Sequence, residues 1–312
     1  MTGWPDIPYE PWVETCTALH LYAQIVGKVR LSLTPWVNHA WHATLYVVPR
    51  GLTTGPIHAP TGCFALTFDI QVGQLVAEAT DGARSSFDLG PMSVAAFHDQ
   101  TRKAVEAVGG PFAIHGAPNE LPEAIPFLQD TSARPWDTDA VRRFHAALLR
   151  IVPVFEHFRT AFLGKVSPVH LFWGSFDLAV TRFSGRTAPP HPGGIPNLPD
   201  TVTQEAYDHE VSSAGFWPGN GGAGAPMFYS YAYPVPDRFG DRRVTPTDAY
   251  WDAKLGEFLL PYEAVRTSAA PERTLMSFLR STYDAAADTG GWDRAALDCG
   301  LQQPGIPRPV RA

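Results

Sequence analysis

Cysteine is scarce in this chain of 312 residues: there are three, far apart, at Cys16, Cys63 and Cys299. Isolated cysteines in odd number form neither a disulfide framework nor a cysteine metal site, and they are typical of a reducing compartment. The opening MTGWPDIPYE lacks the basic and apolar regions of a secretory signal. We therefore expect a cytoplasmic protein.

Long apolar runs and an excess of positive charge are also missing. No stretch of about 18 apolar residues occurs, so we expect neither a membrane span nor a membrane partner. The formal net charge is −7 at pH 7, which gives no basic footprint for nucleic acid. The expected partner is a small-molecule ligand or substrate, and the oligomeric state stays open.

Proline and aromatic residues are abundant instead, with 30 prolines and an aromatic fraction of 12%. The prolines gather in polar stretches such as 115–137 and 187–200, and a glycine-rich stretch follows at 215–226. These compositions predict long loops laid over a rigid scaffold. Loops of such length are more often functional or disordered than merely connecting.

Helix and strand patterns alternate along the chain. Apolar residues recur with helical spacing in 91–108, 138–163 and 271–287, and Pro153 should kink or divide the middle helix. Strand candidates rich in β-branched and aromatic residues lie at 27–34, 41–49, 63–70, 74–80, 112–115, 169–183 and 227–233. The sequence therefore predicts an α+β fold, with two related antiparallel sheets backed by helices.

Two stretches of the chain also resemble each other. GKVR at 27–30 has a counterpart in GKVS at 164–167, and VNHAWHATLYVVPR at 37–50 aligns without gaps with VHLFWGSFDLAVTR at 169–182. We interpret these matches as the trace of an internal duplication. The alternative is that strand sequences resemble one another by chance.

The domain prediction follows from that resemblance. We expect an N-terminal α/β half over 1–137, a C-terminal α/β half with long Pro/Gly-rich loops over 138–302, and a tail over 303–312. The two halves form either separate domains or one continuous domain.

The first candidate site lies in PVHLFWGSFDLAVTRFSGR, residues 168–186, where ionisable residues interrupt a run that should be buried. An unpaired charge is costly to bury. A bulge at Gly174 would bring His170 and Asp177 to one face, as a ligand pair or as a base with its orienting carboxylate. The alternative is that Asp177 forms a structural ion pair with one of the arginines of the same run.

The second candidate site is YDHEVSSAGFWPG, in which His209 and Glu210 are adjacent. Imidazole and carboxylate groups bind zinc, iron or manganese. The motif is not HExxH, because position 213 is a serine. The alternative is a helix N-terminus, where Asp208 or Glu210 would interact favourably with the helix dipole.

Arginine and glycine motifs suggest how a substrate is held. Arg182 and Arg186 could clamp a carboxylate or phosphate, with structural pairing to Asp177 or Glu210 as the alternative. GNGGAGAP at 219–226 lacks the lysine of a phosphate-binding loop, so a flexible loop or lid is the better interpretation.

Further polar candidates come from the other half of the chain. His39 and His42 fall on opposite faces of the expected strand, and His42 has the better claim to a site because it begins the strand that aligns with the His170 strand. A buried core histidine is the alternative. Asn119 and Glu120, in the long proline-rich loop, are candidate rim residues.

Several long stretches carry a recognisable pattern. They are FLGKVSPVHLFWGSFDLAVTRFSGRTAPPHPGG at 162–194, HEVSSAGFWPG at 209–219, FLLPYEAVR at 258–266, LHLYAQIVGKVRL at 19–31 and PRGLTTGPI at 49–57. Together they closely resemble an uncharacterised bacterial family filed under a domain of unknown function, over nearly the whole chain. The resemblance implies no activity, fold or cofactor, so functional expectations rest on chemistry.

The first hypothesis is a small-molecule enzyme that uses a divalent metal, zinc, iron or manganese, for hydrolysis or related lyase chemistry. His170 and His209 would bind the metal, and Asp177 and Glu210 would act as catalytic carboxylates. The substrate would be bound by the two arginines, Trp173, Trp217 and His42.

Two further hypotheses stay open. One is a non-catalytic binding protein for an aromatic or amphipathic ligand, whose walls are Trp36, Trp41, Trp173 and Trp217. The other is a metal-free acid–base enzyme that uses the same histidines and carboxylates. Nucleophilic hydrolysis by a triad is not expected, since no serine lies in a GxSxG motif.

Overall fold

The computed structural model describes residues 3–220 and 223–308 of the chain. Its helices are α1 (Tyr9–Leu33), α2 (Val94–Ala107), α3 (Thr138–Arg159), α4 (Asp200–Ala206), α5 (Tyr262–Arg266), α6 (Pro271–Thr289) and α7 (Arg294–Leu297). Short 3₁₀ turns span Asn38–Ala43 and Phe127–Gln129. Residues 221–222 of the glycine-rich loop and 309–312 of the expected tail lie outside the described residues.

The strands form two antiparallel sheets of six strands each, which confirms the predicted α+β class. The first sheet contains β1 (Tyr46–Val48), β2 (Gly51–Thr53), β3 (Ile57–Ala59), β4 (Gly62–Asp69), β5 (Gln74–Ala79) and β6 (Arg84–Asp88). The second contains β7 (His170–Phe172), β8 (Asp177–Thr187), β9 (His209–Trp217), β10 (Met227–Tyr233), β11 (Tyr250–Asp252) and β12 (Glu257–Pro261). Their orders are β1-β2-β4-β5-β6, with β3 beside β4, and β11-β12-β10-β9-β8-β7.

Helix α1 is buried on nearly all sides. Most of its residues between Thr15 and Val29 are inaccessible to solvent, including the polar His20, Gln24 and Lys28. A helix with apolar residues around its whole circumference belongs in the interior of a protein, and it shows no one-sided apolar stripe. The strand predicted at 27–34 is therefore wrong, because residues 27–33 form the last part of α1, whose apolar residues lie on all sides.

The three predicted helices are confirmed as α2, α3 and α6. Pro153 lies inside α3 without dividing it. The strands predicted at 63–70, 74–80 and 227–233 are confirmed as β4, β5 and β10.

The remaining strand predictions are correct only in part. The segment 169–183 is divided into β7 and β8 by a turn at 173–176, where the bend was expected. In 41–49 only Tyr46–Val48 is a strand, and 112–115 forms none.

The second sheet has two different faces. Helix α3 contacts β8, and α6 contacts β9 and β10, so these two helices cover one face. Buried apolar residues from both sheets and from α1 form one core cluster that extends from Trp4 to Trp292. In the described part of the chain, no helix combines the length and the apolarity needed to cross a bilayer.

The internal duplication is not confirmed. GKVR at 27–30 lies within α1, whereas GKVS at 164–167 lies in the connection between α3 and β7. The aligned stretch 37–50 begins with 3₁₀ turns, and its counterpart at 169–182 consists of two strands. The division of the chain into two halves stays a prediction.

Gly27 offers a test of how α1 packs. An added Cβ at this position would overlap the indole ring of Trp173. Replacing glycine by alanine inside a helix normally stabilises it by about 1 kcal/mol. Here we expect Gly27→Ala to lower the free energy of unfolding by about 1–3 kcal/mol, because the core is overpacked.

Urea unfolding followed by tryptophan fluorescence measures this change. The matched control is Gly90→Ala, since an added Cβ at Gly90 meets nothing within 4 Å. A Gly27→Ala variant as stable as the wild type would contradict this account of the packing.

Candidate functional site

A cavity of about 860 Å³ lies on the face of the second sheet that is turned away from α3 and α6. Alternate residues of the strands form its floor: Asp177, Ala179, Thr181 and Phe183 of β8, Val211 and Ser213 of β9, and Tyr229 and Tyr231 of β10. Its walls come from α1, the 3₁₀ turns at Asn38–Ala43, and the two long proline-rich loops. A cavity of this size matches a small-molecule site.

Asp177 is the acid on the cavity floor, and it is only 5% exposed. Its carboxylate accepts hydrogen bonds from the hydroxyls of Ser175 and Tyr229. Burial raises the pKa of Asp177, although these two hydrogen bonds act in the opposite direction. Gly215 is essential to the arrangement, because an added Cβ there would overlap the Tyr229 hydroxyl.

Glu120 reaches the same region from the loop between α2 and α3. Its backbone has φ of 61°, a left-handed conformation that is rare outside glycine. Its carboxyl lies against Gly174, where an added Cβ would overlap it. Burial, with a further contribution from Asp177, raises the pKa of Glu120 to about 7, and the charge of Lys28 opposes this shift.

Lys28 projects into the cavity from α1 and is only 2% exposed. Its ammonium donates a hydrogen bond to Asn119 Oδ1 and lies 5.3 Å from the centre of the Trp173 ring. Burial lowers the pKa of Lys28 to about 8, and Glu120 opposes this shift.

Asn119 fixes the Glu120 loop to α1. Its backbone N–H donates to Gln24 Oε1 at 2.7 Å, and its backbone carbonyl accepts from Gln24 Nε2 at 2.8 Å. Its side-chain amide donates to the carbonyl of Asn197 in the second proline-rich loop. Both loops are therefore held against the helix that carries Lys28.

Glu257 is the third acid of the cavity and lies at the start of β12. Its Oε2 is buried without a hydrogen-bond partner among the described residues. Burial, followed by the charges of Asp177 and Asp252, raises the pKa of Glu257 to about 8.

Aromatic rings make up much of the remaining surface. The lining includes the tryptophans Trp36, Trp41, Trp173 and Trp217 and the tyrosines Tyr207, Tyr229 and Tyr231. The Tyr207 and Tyr231 hydroxyls are 2.7 Å apart. Rings with a polar tip give such a wall both apolar area and hydrogen-bonding groups.

Three residues of the predicted site line this cavity, namely Asp177, Trp173 and Trp217. Glu120 and Asn119, expected at a rim, are part of its wall.

The two histidines predicted to share a metal are not brought together. His170 pairs with Ala179 and His209 with Thr187, at opposite ends of β8. His170 and Asp177 share one face through the turn between β7 and β8, rather than through the expected bulge, because Phe172 pairs with Asp177. His170 does not line the cavity, however.

Each of these histidines has its own surroundings. The His170 ring packs 4.8 Å from that of Phe172, and burial lowers its pKa to about 3. His209 Nδ1 lies 2.6 Å from Asp208 Oδ1. Among the described residues, no three His, Cys, Asp or Glu side chains are arranged to hold a metal ion.

Arg182 projects from the other face of β8, toward α3 and α6. Its guanidinium lies 3.6 Å from the centre of the Phe158 ring and 4.3 Å from that of Tyr283. It also donates to the Phe158 carbonyl at 2.5 Å. These contacts place it in the core rather than in the cavity.

Glu210 and Arg186 are paired with each other, at 2.6 Å between Oε2 and Nη2. This ion pair is the structural alternative to a substrate-binding role for Arg186. His42 is buried within the 3₁₀ turns, with its ring centre 4.6 Å from that of Trp36, and it does not line the cavity.

Sequence reasoning missed Lys28 and Glu257. Lys28 lies within the apolar run LHLYAQIVGKVRL, so it is an ionisable residue where buried residues are expected. The same feature made Asp177 a candidate. Glu257 precedes the apolar FLLP of β12, and its position beside β10 depends on a strand pairing that the local sequence does not encode.

A family model matches residues 4–299, a range that contains every residue of the cavity lining. The chain belongs to DUF5996, a family of unknown function. Neither the comparison with curated proteins nor that with solved structures found a match. Membership in DUF5996 therefore confirms the family resemblance and leaves the activity to be argued from the cavity.

The raised pKa of Glu257 predicts a pH-dependent stability. The folded state keeps the proton on Glu257 up to about pH 8, whereas the unfolded chain loses it near the ordinary value of 4.5. The free energy of unfolding should therefore fall as the pH rises through this window. Glu257→Gln cannot ionise, so we expect a shallower fall and a variant more stable than the wild type above pH 8.

Urea unfolding across this pH window measures the effect. Glu123→Gln changes an exposed glutamate of the Glu120 loop and should keep the wild-type slope. An identical slope in Glu257→Gln and the wild type would show that Glu257 does not titrate as described.

Proposed function

We propose that the protein is a small-molecule enzyme that works by metal-free acid–base chemistry in this cavity. The observation that supports it is the convergence of Glu120, Asp177 and Glu257 with Lys28 inside one aromatic cavity. Within the described residues, none of the three acids forms a salt bridge with an Arg, Lys or His side chain.

The pKa values support proton transfer near neutral pH. A general acid or base works best when its pKa is close to the operating pH. Glu120 has a pKa of about 7 and Lys28 one of about 8, so both exist in two protonation states around neutrality. Groups that push each other's pKa apart in one cleft are typical of active sites.

Different surroundings suggest different roles for the two central acids. Asp177 lies on β8, and two hydroxyl groups donate hydrogen bonds to its carboxylate. We therefore assign it the role of the fixed carboxylate that orients the ligand or accepts its proton. Glu120 lies on a loop beside Lys28, and we assign it the proton exchange with the ligand.

Backbone strain is concentrated at the same place. Among the non-glycine residues with left-handed φ, His39, Ala40, Glu120 and Asn197 line the cavity. Each such conformation costs roughly 1–3 kcal/mol and persists only where the surrounding structure enforces it. Strain of this kind clusters at active sites and ligand clamps.

A non-catalytic binding protein is the second candidate. It is favoured by the four tryptophans Trp36, Trp41, Trp173 and Trp217, all of which line the cavity. This function needs the aromatic walls but no proton transfer, so the acids distinguish the two candidates. The metal-assisted form of the enzyme stays a prediction without support from the arrangement of the histidines.

A turnover experiment tests the proposal. The purified protein is incubated with a mixture of small metabolites, and mass spectrometry follows which compound is consumed. Asp177→Asn and Glu120→Gln should reduce that consumption by about 10²–10⁴-fold, the usual effect of removing a general acid or base. Glu123→Gln, in the same loop as Glu120 but exposed, is the matched control and should keep full activity.

Thermal shift measurements on the same samples show whether ligand binding survives in the variants. Full consumption by both acid variants would overturn the proposed acid–base roles. Binding by the wild type without consumption of any compound would favour the second candidate.

A further inference from the structure

We propose that the ligand of this cavity carries a positively charged amine next to an aromatic or hydrocarbon group. The inference rests on the proposed function and names the substrate class of the same site. It stands on the charges that face the cavity, on one unpartnered carboxyl oxygen, and on the rings beside it.

The charges that face the cavity are unequal. The titratable groups in its lining are Lys28, His39, His115, Glu120, Asp177, Tyr207, Tyr229, Tyr231 and Glu257. Against three carboxyls there is one amine. Burial lowers the pKa of His39, which favours its uncharged form, and His115 is exposed.

The positive charge of Lys28 acts on only part of the cavity. The charge of Lys28 acts on Glu120 and opposes the upward shift of its pKa. The charges of Asp177 and Asp252 both raise the pKa of Glu257. No positively charged group among the described residues contributes to that shift. Ionisation of Glu257 next to these acids is therefore unfavourable without a cation, so its carboxyl keeps its proton up to about pH 8.

Glu257 also has an unused hydrogen-bonding position. Its Oε2 is buried without a partner among the described residues, although the side chain lines the cavity. A buried polar atom without a partner is costly, and a hydrogen-bond donor on a ligand would remove that cost. An ammonium group supplies both the donor and the missing positive charge.

Aromatic rings lie near this carboxyl, because its charge contributes to the raised pKa of Tyr229 and of Tyr231. Tyr229 and Tyr231 are stacked with ring centres 6.0 Å apart, and the Trp217 ring lies 4.5 Å from that of Tyr229. The face of an aromatic ring carries negative potential and attracts cations. Rings and carboxyls together favour an ammonium ligand and disfavour a carboxylate or phosphate.

Proton release should accompany binding of an amine. A cation beside Glu257 favours the ionised carboxyl, so its proton leaves as the ligand enters. Asp177 and Asp252 raise the pKa of Glu257 before the ligand arrives, and the amine offsets their effect. We therefore expect the affinity for an amine to increase as the pH rises toward 8.

The test compares three probes of one shape: 2-phenylethylamine, 2-phenylethanol and 3-phenylpropanoate. Quenching of tryptophan fluorescence reports binding, since four tryptophans line the cavity. We expect the amine to bind about ten-fold more tightly than the alcohol, and the carboxylate to bind more weakly than either. Calorimetry in buffers of different ionisation enthalpy should show proton release with the amine alone.

Glu257→Gln identifies the carboxyl responsible. It should reduce the advantage of the amine over the alcohol to about three-fold or less, whereas Glu123→Gln should keep it. An alcohol or carboxylate that binds as tightly as the amine would overturn the inference and leave the small-molecule cavity in place. No binding by any of the three probes would also overturn the inference, whereas the proposed acid–base function is overturned only by full turnover in the acid variants.

Discussion

The burial of Asp177 is the constraint on which the rest of the site depends. A carboxylate that is 5% exposed must receive hydrogen bonds, and the hydroxyls of Ser175 and Tyr229 provide them. Tyr229 reaches across β9 only because position 215 is a glycine. The turn between β7 and β8 supplies Ser175, and it also supplies Gly174, against which Glu120 lies. The buried carboxyl of Asp177 thus connects two strands, the turn between β7 and β8, and the Glu120 loop.

Helix α1 connects this arrangement to the core. It is buried nearly all round, so its few polar side chains must bind protein groups, and Gln24 and Lys28 both bind Asn119. Since Asn119 precedes Glu120, the packing of the helix determines where that acid lies. Gly27 admits the ring of Trp173 between the helix and the cavity. The same contacts that bury α1 therefore shape the wall of the candidate site.

The sequence predicts elements with one buried face better than those buried on all sides. Helices α2, α3 and α6 have an apolar stripe, which predicts them, whereas α1 has none, and the strand predicted at 27–34 overlaps its last part. Asp177 was found because an acid in an apolar run needs a partner. Its partners are Ser175, two residues away in the chain, and Tyr229, from a strand that pairs with β9 rather than β8. Local sequence patterns do not reveal residues that are joined by such nonlocal strand pairings, and Glu257 is the main example. They also do not reveal that His170 and His209 lie at opposite ends of β8.

The three acids behave as one coupled group. Asp177 contributes to the raised pKa of both Glu120 and Glu257, so ionisation of any one of them depends on the others. Such a group lowers the stability of the unliganded protein, because the unfolded chain can ionise all its acids freely. Proteins keep costly groups of this kind where function requires them. A ligand with a positive charge would remove this electrostatic cost when it binds. The loss of stability in the unliganded protein would then contribute to the affinity and the selectivity for a cation.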